Sequence, residues 1–319
     1  MNSKLETTLI TGGAGFIGSH LVDYFHDYLD HFVIIVDNLI TGKIENIENK
    51  LSSDRIGFIQ EDICRIPINK FGYVQIDNVL HLASLASPKA YYKYPLRTLR
   101  VGSLGTEVAL KIAKKHNARF LISSTSEVYG DPLEHPQIEE YYGNVNPVGI
   151  RSQYDCSKRY AESLVMTTHK VFGVDTKIAR IFNTFGDRLC PDDGRVISTF
   201  ITQALNKEPL TVYGTGEQTR SICYIDDLIE GLLKLLYSNI HTPINLGNPD
   251  ERTINELAKI VSDRCGNKEL FIKYLPYPEN DPVKRCPDIT KAKTLLKWEP
   301  KISVEEGIEK TINYFKKEL

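Results

Sequence analysis

Thr8-Leu9-Ile10-Thr11-Gly12-Gly13-Ala14-Gly15-Phe16-Ile17-Gly18-Ser19-His20-Leu21 is the stretch that decides the fold. TLIT is a short apolar run containing β-branched residues, and a helix-like pattern begins as soon as the glycines end. A strand that passes through a glycine turn directly into a helix is the start of a mononucleotide-binding unit. Gly12 permits the tight turn, Gly15 lets the backbone approach a pyrophosphate, and Gly18 lets the helix pack closely on the strand. Phe16 and Ile17 lie in the first helical turn, whose N-terminus faces the phosphates.

Working outward, the next apolar run, FVIIVD (32 to 37), ends in Asp37, about 20 residues past the glycines. A carboxylate at that point accepts hydrogen bonds from the adenosine ribose hydroxyls and repels a 2′-phosphate. Asn38 and Leu39 follow without an adjacent arginine, so NAD is expected rather than NADP. Further runs at IGFIQ (56 to 60), NVLHLA (78 to 83), RFLISST (119 to 125) and TKIARIF (176 to 182) alternate with helix-length segments. In SLGTEVALKIAKKH, for example, Leu104, Val108 and Ile112 recur at helical spacing. This alternation predicts an α/β fold, a doubly wound parallel (Rossmann) sheet. After Phe185 the rhythm breaks into loops rich in Gly and Pro, which predicts a smaller C-terminal α/β lobe over the carboxyl edge of the sheet. The expected division is 1–183 for the dinucleotide-binding domain and 184–319 for the substrate lobe.

Composition excludes several functions. The chain has 319 residues, a formal charge of −2 and 25% charged residues of mixed sign, which gives no basic field for nucleic acid. The N-terminus is polar and no apolar run approaches the ~18 residues of a membrane span, so no membrane partner and a cytoplasmic location are expected. Six scattered cysteines form no C-x-x-C pair, and the histidines show no metal-like grouping, so no metal is expected.

The run RFLISST continues into Ser123-Ser124-Thr125-Ser126-Glu127-Val128-Tyr129-Gly130, which puts hydroxyls and a carboxylate at a strand end. Farther on, Tyr154-Asp155-Cys156-Ser157-Lys158 places a phenol and an ammonium one turn apart on a helix. A tyrosine with an ordinary pKa near 10 is a poor base at neutral pH, but a nearby Lys⁺ and a cationic nicotinamide favour its phenolate.

The Gly-x-x-Gly-x-x-Gly spacing with Y-x-x-x-K resembles the extended branch of the short-chain dehydrogenase/reductase superfamily. That resemblance gives the catalytic roles of its Ser/Thr, Tyr and Lys to Thr125, Tyr154 and Lys158. It also implies cofactor contacts at Asp62 and Ile63, at Leu82, Ala83 and Ser84 after the fourth strand, and at Ser123 and Arg180. Nucleotide-sugar 4,6-dehydratases of this branch carry Thr-Asp-Glu, the Asp expelling a hydroxyl as water, whereas this chain has Thr125-Ser126-Glu127. Serine is a weak acid, and this version resembles the UDP-glucuronate decarboxylases. There, oxidation at C4 makes a β-keto acid that loses CO₂, and Glu127 would move the C5 proton or order water. The likeness runs from LITGGAGFIGSHLVD to WEPKISVEEGIEKTINYF through GNVNPVGIRSQYD, ARIFNTFGDR, DDGRVIS and NDPVKRCPDITKAK.

By the same resemblance Asn183 and Arg220 hold the diphosphate of a UDP-sugar, and Val196 and Tyr213 flank the uracil. Arg285 reaches ribose or phosphate, and Ser87 and Tyr91 lie in the substrate loop. Arg188, with Lys89 and Lys93, is a candidate for a sugar carboxylate. The helices over 103–116 and 154–172 resemble those that pair subunits in a four-helix bundle, which implies a homodimer. The chain departs from the family pattern at Gly102, usually Asn, at Cys156-Ser157, usually Glu-Gly, and at Asp187, usually Pro. Those changes lie near the sugar, so a second reading stays open: a dehydratase, epimerase or reductase of a UDP-N-acetylhexosamine or its 4-keto or 5,6-unsaturated derivative.

Overall fold

Seven parallel strands, each placed where an apolar run ends in a polar or glycine turn, make the central sheet in a computed structural model describing residues 5–267, 269–277 and 284–319. The first six are β1 (Thr7–Thr11), β2 (Phe32–Asp37), β3 (Ile56–Gln60), β4 (Asn78–His81), β5 (Arg119–Thr125) and β6 (Thr176–Ile181). Alternate side chains leave opposite faces of each strand. Ile10 and Ile35 join one core with Leu21, Val22 and Phe25 of helix α1 (Phe16–Asp27). Leu9, Ile34 and Val36 join the other, beneath α4 (Thr106–His116) and α5 (Ser152–Phe172). Between β4 and α4 run the short helices α2 (Pro88–Lys93) and α3 (Pro95–Arg100), and α4 is entered through a π-helical turn, Val101–Gly105.

Beyond β6 come β7 (Thr184–Phe185), α6 (Val196–Leu205), β8 (Leu210–Tyr213), β9 (Thr219–Ser221), β10 (Cys223–Tyr224), α7 (Ile225–Leu236) and β11 (Ile244–Leu246). The chain closes with β12 (Glu251–Thr253), α8 (Ile254–Arg264), β13 (Ile272–Leu275), α9 (Thr290–Leu296) and α10 (Val304–Glu318). Strand β11 lies beyond the expected division at residue 183. It pairs in parallel with β6, completing the order β11-β6-β5-β4-β1-β2-β3, so the central sheet takes its edge strand from the second half of the chain. Only three residues long and directly preceded by a Thr-Pro, it lacks the length that marked the other strands. The paired strands β8 and β13, β9 and β12, and β7 and β10 build the smaller lobe with α6, α8 and α10.

The strand order is wound outward in both directions from β1, and because every pairing is parallel the carboxyl ends of β1, β2, β4, β5 and β6 all face one side. In open α/β sheets this edge is where ligands bind. Among the described residues no helix is long and apolar enough to cross a membrane.

Candidate active site

A cleft of about 720 Å³ lies along that edge, roofed by the smaller lobe. One end is built by the glycine turn. Gly12 has φ +74°, and a Cβ there would stand 2.7 Å from the Ala83 backbone nitrogen, while a Cβ on Gly18 would meet the Gly12 carbonyl at 2.1 Å. Neither position tolerates a side chain, so the turn stays tight and α1 starts at the cleft with no capping side chain and no acid in its first turn. Asp37 lines the cleft and accepts hydrogen bonds from Ala14 N (3.0 Å) and Leu39 N (2.8 Å). Burial raises its carboxyl above the ordinary value, against the pull of those two donors. Asp62 caps the turn Ile63–Arg65 by accepting from Cys64 N at 3.0 Å. These groups fit a dinucleotide: donors at a helix start for phosphate, and a carboxylate at the second strand end for a ribose.

At the centre, Thr125 ends β5 and Tyr154 and Lys158 share the first turns of α5. Tyr154 is buried and stacks on Tyr91 with ring centroids 5.4 Å apart. Burial pushes its phenol up to about 12, and a hydrogen bond with Thr125 offsets this in part. Lys158 donates to the Ser123 carbonyl at 2.6 Å and stands 5.8 Å from the Tyr154 ring centroid. Burial lowers its ammonium to about 8, opposed by Glu162. A neutral phenol beside a lysine near its titration point is a pair that an added positive charge would tip toward phenolate.

Glu127 lies just beyond, in the one-turn segment Ser126–Tyr129 that Thr125 caps. Arg285 grips it with both guanidinium nitrogens, one at 2.8 Å, and Arg151 donates at 2.6 Å. Burial alone would raise this carboxyl, but the two guanidinium groups prevail and hold it down to about 2.

The cleft gathers nearly every residue expected from the sequence. Gly15, Phe16, Ile17, Asn38, Ile63, Leu82, Ala83, Ser84 and Ser123 line its dinucleotide end, and Asn183, Val196, Tyr213 and Arg220 its other reach. Ser87 lines it as the cap of α2. Arg180 does not line it. Its guanidinium is engaged by Glu162 at 2.7 Å and 3.0 Å, the Tyr129 hydroxyl and the Glu139 carbonyl, so it braces β6 against α5. Arg285, expected at ribose or phosphate, stands instead at the catalytic end on Glu127. Arg188 lines the cleft but is bound to Asp23 of α1, and Lys89 is bound to Asp192. Residues 280–283, the start of NDPVKRCPDITKAK, lie outside the described residues. Arg151, Asp155 and Arg195 were missed. Arg151 stood one turn before Tyr154 and Arg195 inside DDGRVIS, whereas nothing in the sequence marks Asp155 as buried. Among the described residues no group of three His, Cys, Asp or Glu is placed to hold a metal.

The family described as GDP-mannose 4,6 dehydratase matches residues 9–311. UDP-glucuronic acid decarboxylase 4 of Arabidopsis thaliana is 48% identical over 319 residues, all of this chain and 70% of that protein. UDP-glucuronic acid decarboxylase 1 of Danio rerio is 49% identical over 98% of this chain and 73% of that protein. This chain belongs to the extended short-chain dehydrogenase/reductase family. A family member of known structure, UDP-glucuronic acid 4-epimerase from Bacillus cereus in complex with UDP-glucuronic acid and NAD, superposes with a TM-score of 0.88 at 30% identity. The match covers 98% of this chain and 100% of that one. The family's Thr, Tyr and Lys correspond here to side chains that converge in one cleft.

Proposed function

We propose that this chain is an NAD-retaining UDP-glucuronate decarboxylase that yields UDP-xylose. The observation that carries the reading is the pair Arg285 and Arg151 at the sugar end, where a C5 carboxylate would be met by two guanidinium groups. The UDP-glucuronic acid decarboxylases at 48% and 49% identity support the same substrate.

In this reading the glycine turn and Asp37 hold NAD, which when bound accepts the C4 hydrogen and later returns it. Tyr154 Oη takes the C4 hydroxyl proton, Thr125 fixes that oxygen, and Lys158 supplies the charge that keeps the phenolate accessible. The C4 ketone makes the sugar a β-keto acid. Breaking the bond between C5 and its carboxylate releases CO₂ and leaves the electron pair as an enolate, to which Thr125 and Tyr154 offer hydrogen bonds. Glu127, ionised at any working pH, acts as a hydrogen-bond acceptor that orders water and holds the arginines, and not as an acid. Protonation at C5 and return of the hydrogen to C4 finish the turnover.

The test is incubation with UDP-glucuronate followed by mass spectrometry and CO₂ capture. Labelled CO₂ with a pentose nucleotide supports the reading. Unchanged UDP-glucuronate alongside conversion of a UDP-N-acetylhexosamine would replace it with the second reading, in which the arginine pair serves another acceptor.

A homodimer belongs to the same proposal. Leu96, Leu99, Leu104 and Tyr160 leave apolar surface exposed on and beside α3, the π-turn and α5, a face suited to a second copy. Six unpaired cysteines suit a reducing compartment such as the cytoplasm.

A further inference from the structure

Decarboxylation of a carboxylate consumes one proton per turnover, because the departing CO₂ leaves its electron pair on C5. The proton that Tyr154 takes from the C4 hydroxyl goes back when C4 is reduced, so it cannot meet that need. Glu127 is held ionised by Arg285 and Arg151 and has no proton to give. With nucleotide and cofactor filling the main cleft, the C5 proton requires another route.

Behind Glu127 lies a second cavity of about 250 Å³, walled by Gly130, Asp131, Asn144, Val145, Asn146 and Asp155. Glu127 and Arg151 line both cavities and so form the partition between them. Asp155 is 6% exposed, and its Oδ1 has no hydrogen-bonding partner among the described residues. A buried carboxylate with one oxygen lacking a protein donor, on a residue that lines a polar cavity large enough for several waters, is a group arranged to exchange protons with water. We propose that this rear cavity is the proton inlet of the active site, with Asp155 as the group that passes a solvent proton through water at the Glu127 partition to C5.

The balance is simple. Asp155 releases its proton into the water chain, C5 forms a C–H bond with the electron pair left by CO₂, and Asp155 is reprotonated from solvent through the cavity. Asp155 faces Glu127 from the turn after β5, Arg151 and Arg159 from α5 and the residue before it, and Arg285 from the C-terminal loop, with Tyr154 and Cys156 as chain neighbours. Burial and the Glu127 charge outweigh the three arginines and push its carboxyl up to about 7, so at neutral pH it carries a proton part of the time. A pH rise through that range empties the donor.

The inference rests on the decarboxylase reading, and wild-type CO₂ release from UDP-glucuronate tests that reading separately. Given such release, Asp155→Asn should lower kcat roughly 10- to 100-fold with KM nearly unchanged. It should also abolish the fall of kcat above pH 7, and Asp155→Glu should restore that limb. Val145→Phe, which keeps Asp155 but narrows the cavity, should lower kcat several-fold. The proposal is overturned if Asp155→Asn keeps the wild-type kcat, or if its residual turnover shows the wild-type pH limb, which would make Asp155 structural. Should Asp155→Asn not fold, Val145→Phe decides alone: an unchanged kcat overturns the inlet.

Discussion

Glu127 stands in the partition between the two cavities and Asp155 behind it, and the same arginines act on them unequally. Arg285 and Arg151 sit directly on Glu127, and what reaches Asp155 is too weak to overcome its burial. The linkage follows from these directions. Asp155, raised from an unfolded value of 3.8 to about 7, contributes stability that is present below pH 4 and lost as pH rises through 7. Asp155→Asn should therefore melt higher than wild type at pH 8 and nearly level with it at pH 4, as differential scanning calorimetry at both pH values would reveal. Glu127, depressed to about 2, behaves oppositely, and its contribution disappears only as pH falls from 4.5 toward 2. Glu127→Gln removes the carboxylate that two buried guanidinium groups share, with an expected loss of about 3 kcal/mol. UDP-glucuronate, bringing its own carboxylate, should recover much of that loss in a thermal-shift titration, and UDP-xylose should not. The meeting of Thr125, Tyr154 and Lys158 in one cleft was legible in the sequence because residue type and spacing carry it. The partners of Glu127 were not, because they come from positions 151 and 285, and no local pattern tells which arginine turns inward.

At the scale of elements, the unusual residues of this chain answer one another. A Cβ on Gly102 would lie 2.6 Å from the Ser157 Cβ, so the π-turn before α4 packs its backbone against α5 at that point. Where the family pattern has Asn and Gly at these two positions, this chain has Gly and Ser: the larger side chain has moved across the contact. Ser157 uses its hydroxyl locally, donating to the Tyr154 carbonyl at 2.8 Å. Gly102→Asn alone should overpack the contact, costing about 1–3 kcal/mol. Gly102→Asn with Ser157→Gly should regain most of it, a coupling that a double-mutant cycle by urea denaturation measures. Read singly, these positions looked like altered substrate contacts. Their shared contact joins residues over fifty positions apart, which periodicity cannot reveal. Strands β1 to β6 were legible because their apolar runs are long, whereas β11 relies on β6 to make it a strand.

Over the whole molecule, the exposed leucines by α3 and α4 set the expected assembly. Val108 and Ile112 of the predicted amphipathic stripe point into the core, while Leu104, one turn earlier, stays 40% exposed. Leu96→Glu with Leu104→Glu should convert a dimer to a monomer in analytical ultracentrifugation and, since α5 carries Tyr154 and Lys158, lower turnover as well. A sedimentation profile unchanged by both substitutions would place the subunit contact elsewhere. The pairing of β11 with β6 bears on how such enzymes are recombined. A chimera joined near residue 183 would exchange the outermost strand of the cofactor sheet along with the substrate lobe. Each parent's β6 would then have to accept a foreign neighbour. Sugar preference can be transplanted between relatives only if the crossover spares Ile244–Leu246, so the unit of inheritance here is discontinuous in the gene.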